Sequence, residues 1–131
     1  MSATVVTTVV SPAPAARAPS LSPRALARVR DYVDAHLRDA IRLQDLAAAA
    51  CISRFHFARL FRASTGASPM QYVRHARVAA AKAMLAQADP SIAEVAVELG
   101  FFDHSHFTRT FRSVTGVSPH HYSRLTAQRR P

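Results

Sequence analysis

One stretch of this chain is written twice. Shifted by 50 positions, Ser53–Tyr72 falls on Asp103–Tyr122, and ten of the twenty pairs are identical. The identical pairs are His56/His106, Phe57/Phe107, Arg59/Arg109, Phe61/Phe111, Arg62/Arg112, Thr65/Thr115, Gly66/Gly116, Ser68/Ser118, Pro69/Pro119 and Tyr72/Tyr122. Upstream the shift becomes 49, which pairs Leu46-Ala47 with Val95-Ala96 and Cys51 with Gly100, so the second copy carries one extra residue in its turn. All three glycines stand where a helix is expected to end. A repeat of this length within 131 residues leaves room for two small units and a connection.

The second copy spells out what each unit is. Pro90 breaks what precedes it, and Ser91 with Glu94 forms the Ser-x-x-Glu pattern that opens a helix. Ile92, Val95, Ala96 and Leu99 share one face of that helix, and Gly100 supplies the left-handed backbone that stops it. Asp103 then caps a second helix that buries Phe107 and Phe111, four residues apart, and Gly116 ends it. Small Ala96 lets the two helices cross closely, and the outward face of the second is polar and basic. This is the layout of a DNA-binding helix-turn-helix.

Between the units, Ser68 caps a helix expected over residues 69–88, rich in alanine, methionine and leucine. At about 1.5 Å per residue it would span roughly 30 Å. Successive major-groove faces of a duplex lie about 34 Å apart, so such a rod could hold two reading helices on adjacent turns. Tyr72, Ala76, Ala79, Ala80 and Ala83 can face the units, while Arg74 and Arg77 can face phosphate. Ahead of the first unit, Ser22-Pro23 opens a helix whose Leu26, Val29, Val33 and Leu37 keep helical spacing to about Ala40. Residues 1–20, with Pro12, Pro14 and Pro19, read as a disordered arm. Residues 21–127 then form one all-α domain of about seven helices: a first unit near 22–68, the linker helix, a second unit near 90–125, and a basic tail at 128–131.

Charge points the same way. The net charge is +9, and 16 of the 17 basic residues are arginine, which favours a polyanionic partner. One cysteine excludes an internal disulfide and any multi-cysteine zinc site. No apolar run reaches the length of a membrane span, and the N-terminus lacks a basic leader region. A cytoplasmic protein without a membrane partner is expected. Seven histidines raise the question of a metal, but His104 and His106 point to different helical faces, and no metal or cofactor is expected. Asp103, Ser105 and His106 occupy near-consecutive helical positions that cannot converge on one substrate atom, so no catalytic residue is assigned. Cys51 reads as a small packed residue rather than a nucleophile.

The spaced residues resemble the DNA-binding domain of the AraC/XylS family of transcription regulators. The resemblance rests on Val95-Ala96, Gly100-Phe101, His106-Phe107, Arg109, Phe111-Arg112 and the run Gly116-Val117-Ser118-Pro119-His120-His121-Tyr122. The linker's Gln71-Tyr72, Arg74, Arg77-Val78 and Leu85 belong to the same pattern, which covers about Ser22 to Thr126. Phe102, Cys51 and Arg42 depart from it, standing for a small polar residue, a turn glycine and a helix-capping residue.

The resemblance implies that the second helix of each unit enters the major groove. By position the first reader offers Arg54, Phe55, Ala58, Arg59 and Arg62, and the second offers His104, Ser105, Thr108, Arg109 and Arg112. It also implies a short, sensorless regulator that activates by contact with RNA polymerase, with repression open. A monomer on an asymmetric site is expected, its two half-sites differing as the readers' outward residues do. Arg59 and Arg109 can each bind guanine O6 and N7, or contact phosphate instead. Phe55 can touch a thymine methyl or belong to the core. A nonspecific architectural DNA-binding protein is the competing expectation.

Overall fold

The computed structural model describes residues 19–87 and 91–128, which form seven helices and no strand. Most of the expected N-terminal arm, Pro90 and the last three residues of the expected basic tail lie outside the described residues. In order the helices are α1 (Pro23–Ala35), α2 (Leu43–Ala50), α3 (Arg54–Thr65), α4 (Pro69–Leu85), α5 (Ile92–Glu98), α6 (His104–Thr115) and α7 (Pro119–Ala127).

Short side chains start these helices. Ser22, Ser53, Ser68, Ser91, Asp103 and Ser118 each accept a hydrogen bond from the backbone N–H three residues on, the geometry that satisfies a first-turn donor. Only α2 departs. Arg42 makes no side-chain cap, and the Asp45 carboxylate instead accepts from the Arg42 N–H at 2.9 Å.

The two units are built alike at the turn. Cys51 (φ 63°) and Gly100 (φ 73°) hold the same left-handed backbone. Ile52 N–H then donates to Ala47 O, and Phe101 N–H to Ala96 O, both at 3.1 Å. After that match comes Phe102, so Phe102 is the extra residue of the second copy. The far ends of α3 and α6 also coincide. The hydroxyls of Thr65 and Thr115 donate to the carbonyls of Phe61 and Phe111 at 2.9 Å and accept from the N–H of Ala67 and Val117 at 3.2 Å. Gly66 and Gly116 then reverse the chain, and Ser-Pro opens the next helix.

Two apolar cores result, one per unit. Val29, Val33, Leu46, Ala47, Phe57 and Phe61 fill the first, together with Val73 from α4. Val95, Ala96, Leu99, Phe101, Phe107 and Phe111 fill the second, together with Val78, Ala81 and Leu85 from α4. The linker helix is thus a wall shared by both cores. Ala76 and Ala80 face the cores as expected, whereas Ala79 and Ala83 are exposed.

Two helices stop earlier than their apolar spacing suggests. α1 ends at Ala35 instead of near Ala40, because the chain turns at His36, whose carbonyl accepts from Asp39 N–H at 2.9 Å. Leu37 leaves the helix and packs against both cores. α4 ends at Leu85, three residues before the expected boundary. Its 17 residues span about 25 Å at the helical rise.

Candidate nucleic-acid interface

The two helices expected to read DNA owe their orientation to two pairs of phenylalanines. Phe57 and Phe61 in α3, and Phe107 and Phe111 in α6, are fully buried, which turns the opposite side of each helix outward. On α3 that outward side carries exposed Arg54, Phe55, Arg59 and Arg62 with half-buried Ala58. On α6 it carries exposed His104, Ser105, Arg109 and Arg112 with half-buried Thr108. All ten expected reader residues therefore lie on these two helices, at their outer or flanking positions.

Phe55 does not join the core: it is 71% exposed, and the Arg54 guanidinium lies over its ring, 5.0 Å from the centroid. The pairing keeps a cation and an apolar face together at the start of α3. Among the described residues the one ion pair joins Arg38 and Glu98, so the outward arginines of both readers have no carboxylate neutralising them. Their charge is available to an anion.

The two arginines expected at phosphate part company. Arg74 is exposed on α4. Arg77 is half-buried, with Nε donating to Leu37 O at 3.3 Å and Nη2 donating to Asp39 O. Burial lowers its pKa from the ordinary arginine value, with Asp39 opposing. Where a phosphate contact is expected of Arg77, two of its five guanidinium N–H donors are engaged by the loop between α1 and α2. Cys51, expected to be packed, is exposed instead.

The repeat pair His56/His106 does not share an environment. His56 is exposed, whereas His106 is half-buried, meets the Phe101 ring edge-on at 5.3 Å, and accepts at Nδ1 from Phe102 N–H at 3.3 Å. The N–H that His106 accepts belongs to Phe102, the residue that has no counterpart in the first unit. Phe102 itself is 90% exposed beside the N-terminus of α6. Its outward position is missed by reading residues for helical periodicity, although the change of shift from 49 to 50 marks the place.

Asp103 and His106, weighed above as part of a hydrolytic set, instead make a helix cap: the carboxylate accepts from the His106 backbone N–H at 2.7 Å. Among the described residues no group of three or more His, Cys, Asp or Glu stands where it could hold a metal, and no helix is long and apolar enough to cross a membrane. What remains is two outward faces, one of arginines and the other of arginine, hydroxyl and imidazole groups, each with an apolar side chain at its leading end. Such faces suit base edges and phosphates better than a small molecule.

A family model described as a helix-turn-helix domain matches residues 46–125. The regulatory protein PocR of Salmonella typhimurium is 39% identical over 70 residues, 53% of this chain and 23% of its own length. The MmsAB operon regulatory protein of Pseudomonas aeruginosa is 35% identical over 72 residues, 55% of this chain and 24% of its own length. The chain thus spans about a quarter of the length of these curated relatives. Among solved structures, the DNA-binding domain of the global transcriptional factor AdpA in complex with a target DNA superposes with a TM-score of 0.75 at 37% identity, covering 81% of this chain and 96% of that one. A transcriptional regulator with an AraC-type DNA-binding domain from Chromobacterium violaceum gives 0.74 at 26% identity, covering 80% and 94%.

Proposed function

Since the chain belongs to the AraC-type helix-turn-helix family, we propose that it regulates transcription by presenting α3 and α6 to two successive major grooves of one asymmetric DNA site. The observation that carries this reading is the pair of outward faces, alike in frame and unlike in side chains. Arg54, Phe55, Ala58, Arg59 and Arg62 read one block, and His104, Ser105, Thr108, Arg109 and Arg112 read the other. Phe102 adds an apolar contact at the leading end of the second. Arg74 anchors the phosphate backbone between them. Arg59 and Arg109 take the base-reading role because bidentate guanidinium–guanine pairing is the commonest specific contact.

The reading involves no catalytic step, metal or cofactor and places the chain in the cytoplasm with DNA. Two unlike readers in one chain make a dimer unnecessary and support a monomer on its site. Activation through contact with RNA polymerase is part of the proposal on family resemblance alone.

Selection of bound duplexes from a random pool, at a stated near-physiological salt concentration, tests it. Recovery of one asymmetric motif with two blocks about a helical turn apart is expected. Binding without any motif, fading as salt rises, would replace this reading with an architectural role.

A further inference from the structure

We propose that the loop between α1 and α2, residues 36–42, is a clamp that sets the spacing of the two readers, with Arg77, Gly100 and Arg38 as its positioning residues. The inference rests on the two-reader function above and adds what fixes their separation. The linker helix, about 25 Å long, is shorter than the groove repeat of about 34 Å, so contacts beside it also bear on the separation.

Four observations converge on the loop. Leu37 packs against the apolar cores of both units, a position no other described residue shares. Arg77, from the middle of α4, donates to the carbonyls of Leu37 and Asp39, 40 and 38 residues away in sequence. Arg38 pairs with Glu98 at the end of α5, 60 residues away. Finally, the turn of the second unit is pressed against the same loop. A Cβ on Gly100 would lie 2.8 Å from Arg38 O and 2.9 Å from Leu37 O.

That last contact separates a tertiary requirement from a local one. Left-handed backbone by itself does not demand glycine here, because Cys51 holds φ 63° at the equivalent turn of the first unit. Gly66 and Gly116 also take positive φ, yet nothing stands within 4 Å of a Cβ placed on either. Gly100 alone combines positive φ with backbone at its α-carbon. The loop of the first unit therefore touches α4, α5 and the turn before α6 at once, and a change in any of these contacts lets the second reader shift against the first.

Two linked binding modules gain affinity through effective concentration, which is highest at the one separation a rigid connection holds. The test uses the full chain and duplexes carrying the selected two-block motif, at its native spacing and with one or two base pairs inserted or removed. Duplexes with one block scrambled serve as controls. Wild-type protein is expected to favour the native spacing strongly. Arg77→Met, Gly100→Ala and Arg38→Ala, each checked for folding by thermal melting, are expected to flatten that preference about tenfold or more for the first two and less for the third, whose pair is on the surface. Affinity for single-block duplexes should stay near wild type.

A preference unchanged in variants that fold would overturn the clamp, and so would an equal loss on every duplex, which marks general destabilisation. Should Gly100→Ala not fold, Arg77→Met and Arg38→Ala decide the matter. Failure of the two-reader reading shows separately, as the absence of any two-block motif for wild-type protein.

Discussion

An arginine is defined by what its guanidinium can reach. Arg109 stands exposed on α6 with no carboxylate to neutralise it, while Arg77 gives its donors to two backbone carbonyls. Arg109→Ala is expected to cost about 1–3 kcal/mol of binding and to relax the choice of base at one position of the site. Arg77→Ala should leave the slope of log affinity against log salt unchanged, where loss of a phosphate contact would reduce it by about one. Titration of each variant across a salt series, on matched and mismatched duplexes, distinguishes the two. The sequence alone could not, because both residues fall on outward-looking helical positions. Arg77's partners come from a loop some 40 residues upstream, and no local pattern records that approach. Phe55 is the converse case. Its spacing left core and surface equally open, and the neighbouring Phe57 and Phe61 decided it by taking the inward positions.

At the scale of the element, helix starts were legible and helix stops were less so. Each start except that of α2 is written in a single side chain, such as Asp103, whose carboxylate accepts from the His106 N–H at 2.7 Å. Asp103→Ala is expected to lower stability by about 1 kcal/mol in chemical denaturation and to raise amide exchange in the first turn of α6. An unchanged midpoint together with unchanged protection would show that the cap contributes nothing there. Stops depend on neighbours. Leu37 keeps the apolar spacing of α1, yet it lies beyond the helix and packs against both cores from the loop. α4 likewise ends at Leu85 although Ala86 has strong helix propensity, since Leu85 is the last of its residues buried in the second core. Glycine stops at Gly66 and Gly116 were readable because their requirement is confined to their own backbone.

For the molecule as a whole, the duplicated stretch carried enough information to place two units and a shared helix, and the family resemblance named the faces proposed to read DNA. What it did not carry was how the units meet. Six exposed arginines, Arg54, Arg59, Arg62, Arg74, Arg109 and Arg112, lie on the two readers and the helix between them. A protein that meets DNA with about six such charges is expected to lose roughly a thousandfold in affinity between 50 and 200 mM salt. Fluorescence anisotropy on a fixed duplex measures this, and an affinity independent of salt would rule out phosphate contact by these residues.

The two readers share their joints: a one-residue cap at the start, and a threonine hydroxyl followed by an unobstructed glycine at the end. Between the joints the interior asks chiefly for two phenylalanines four residues apart, and in the function proposed above the outward positions answer to DNA alone. Descendants of such a chain can therefore be redirected to new genes by a few codon changes on α3 or α6, without relearning how to fold.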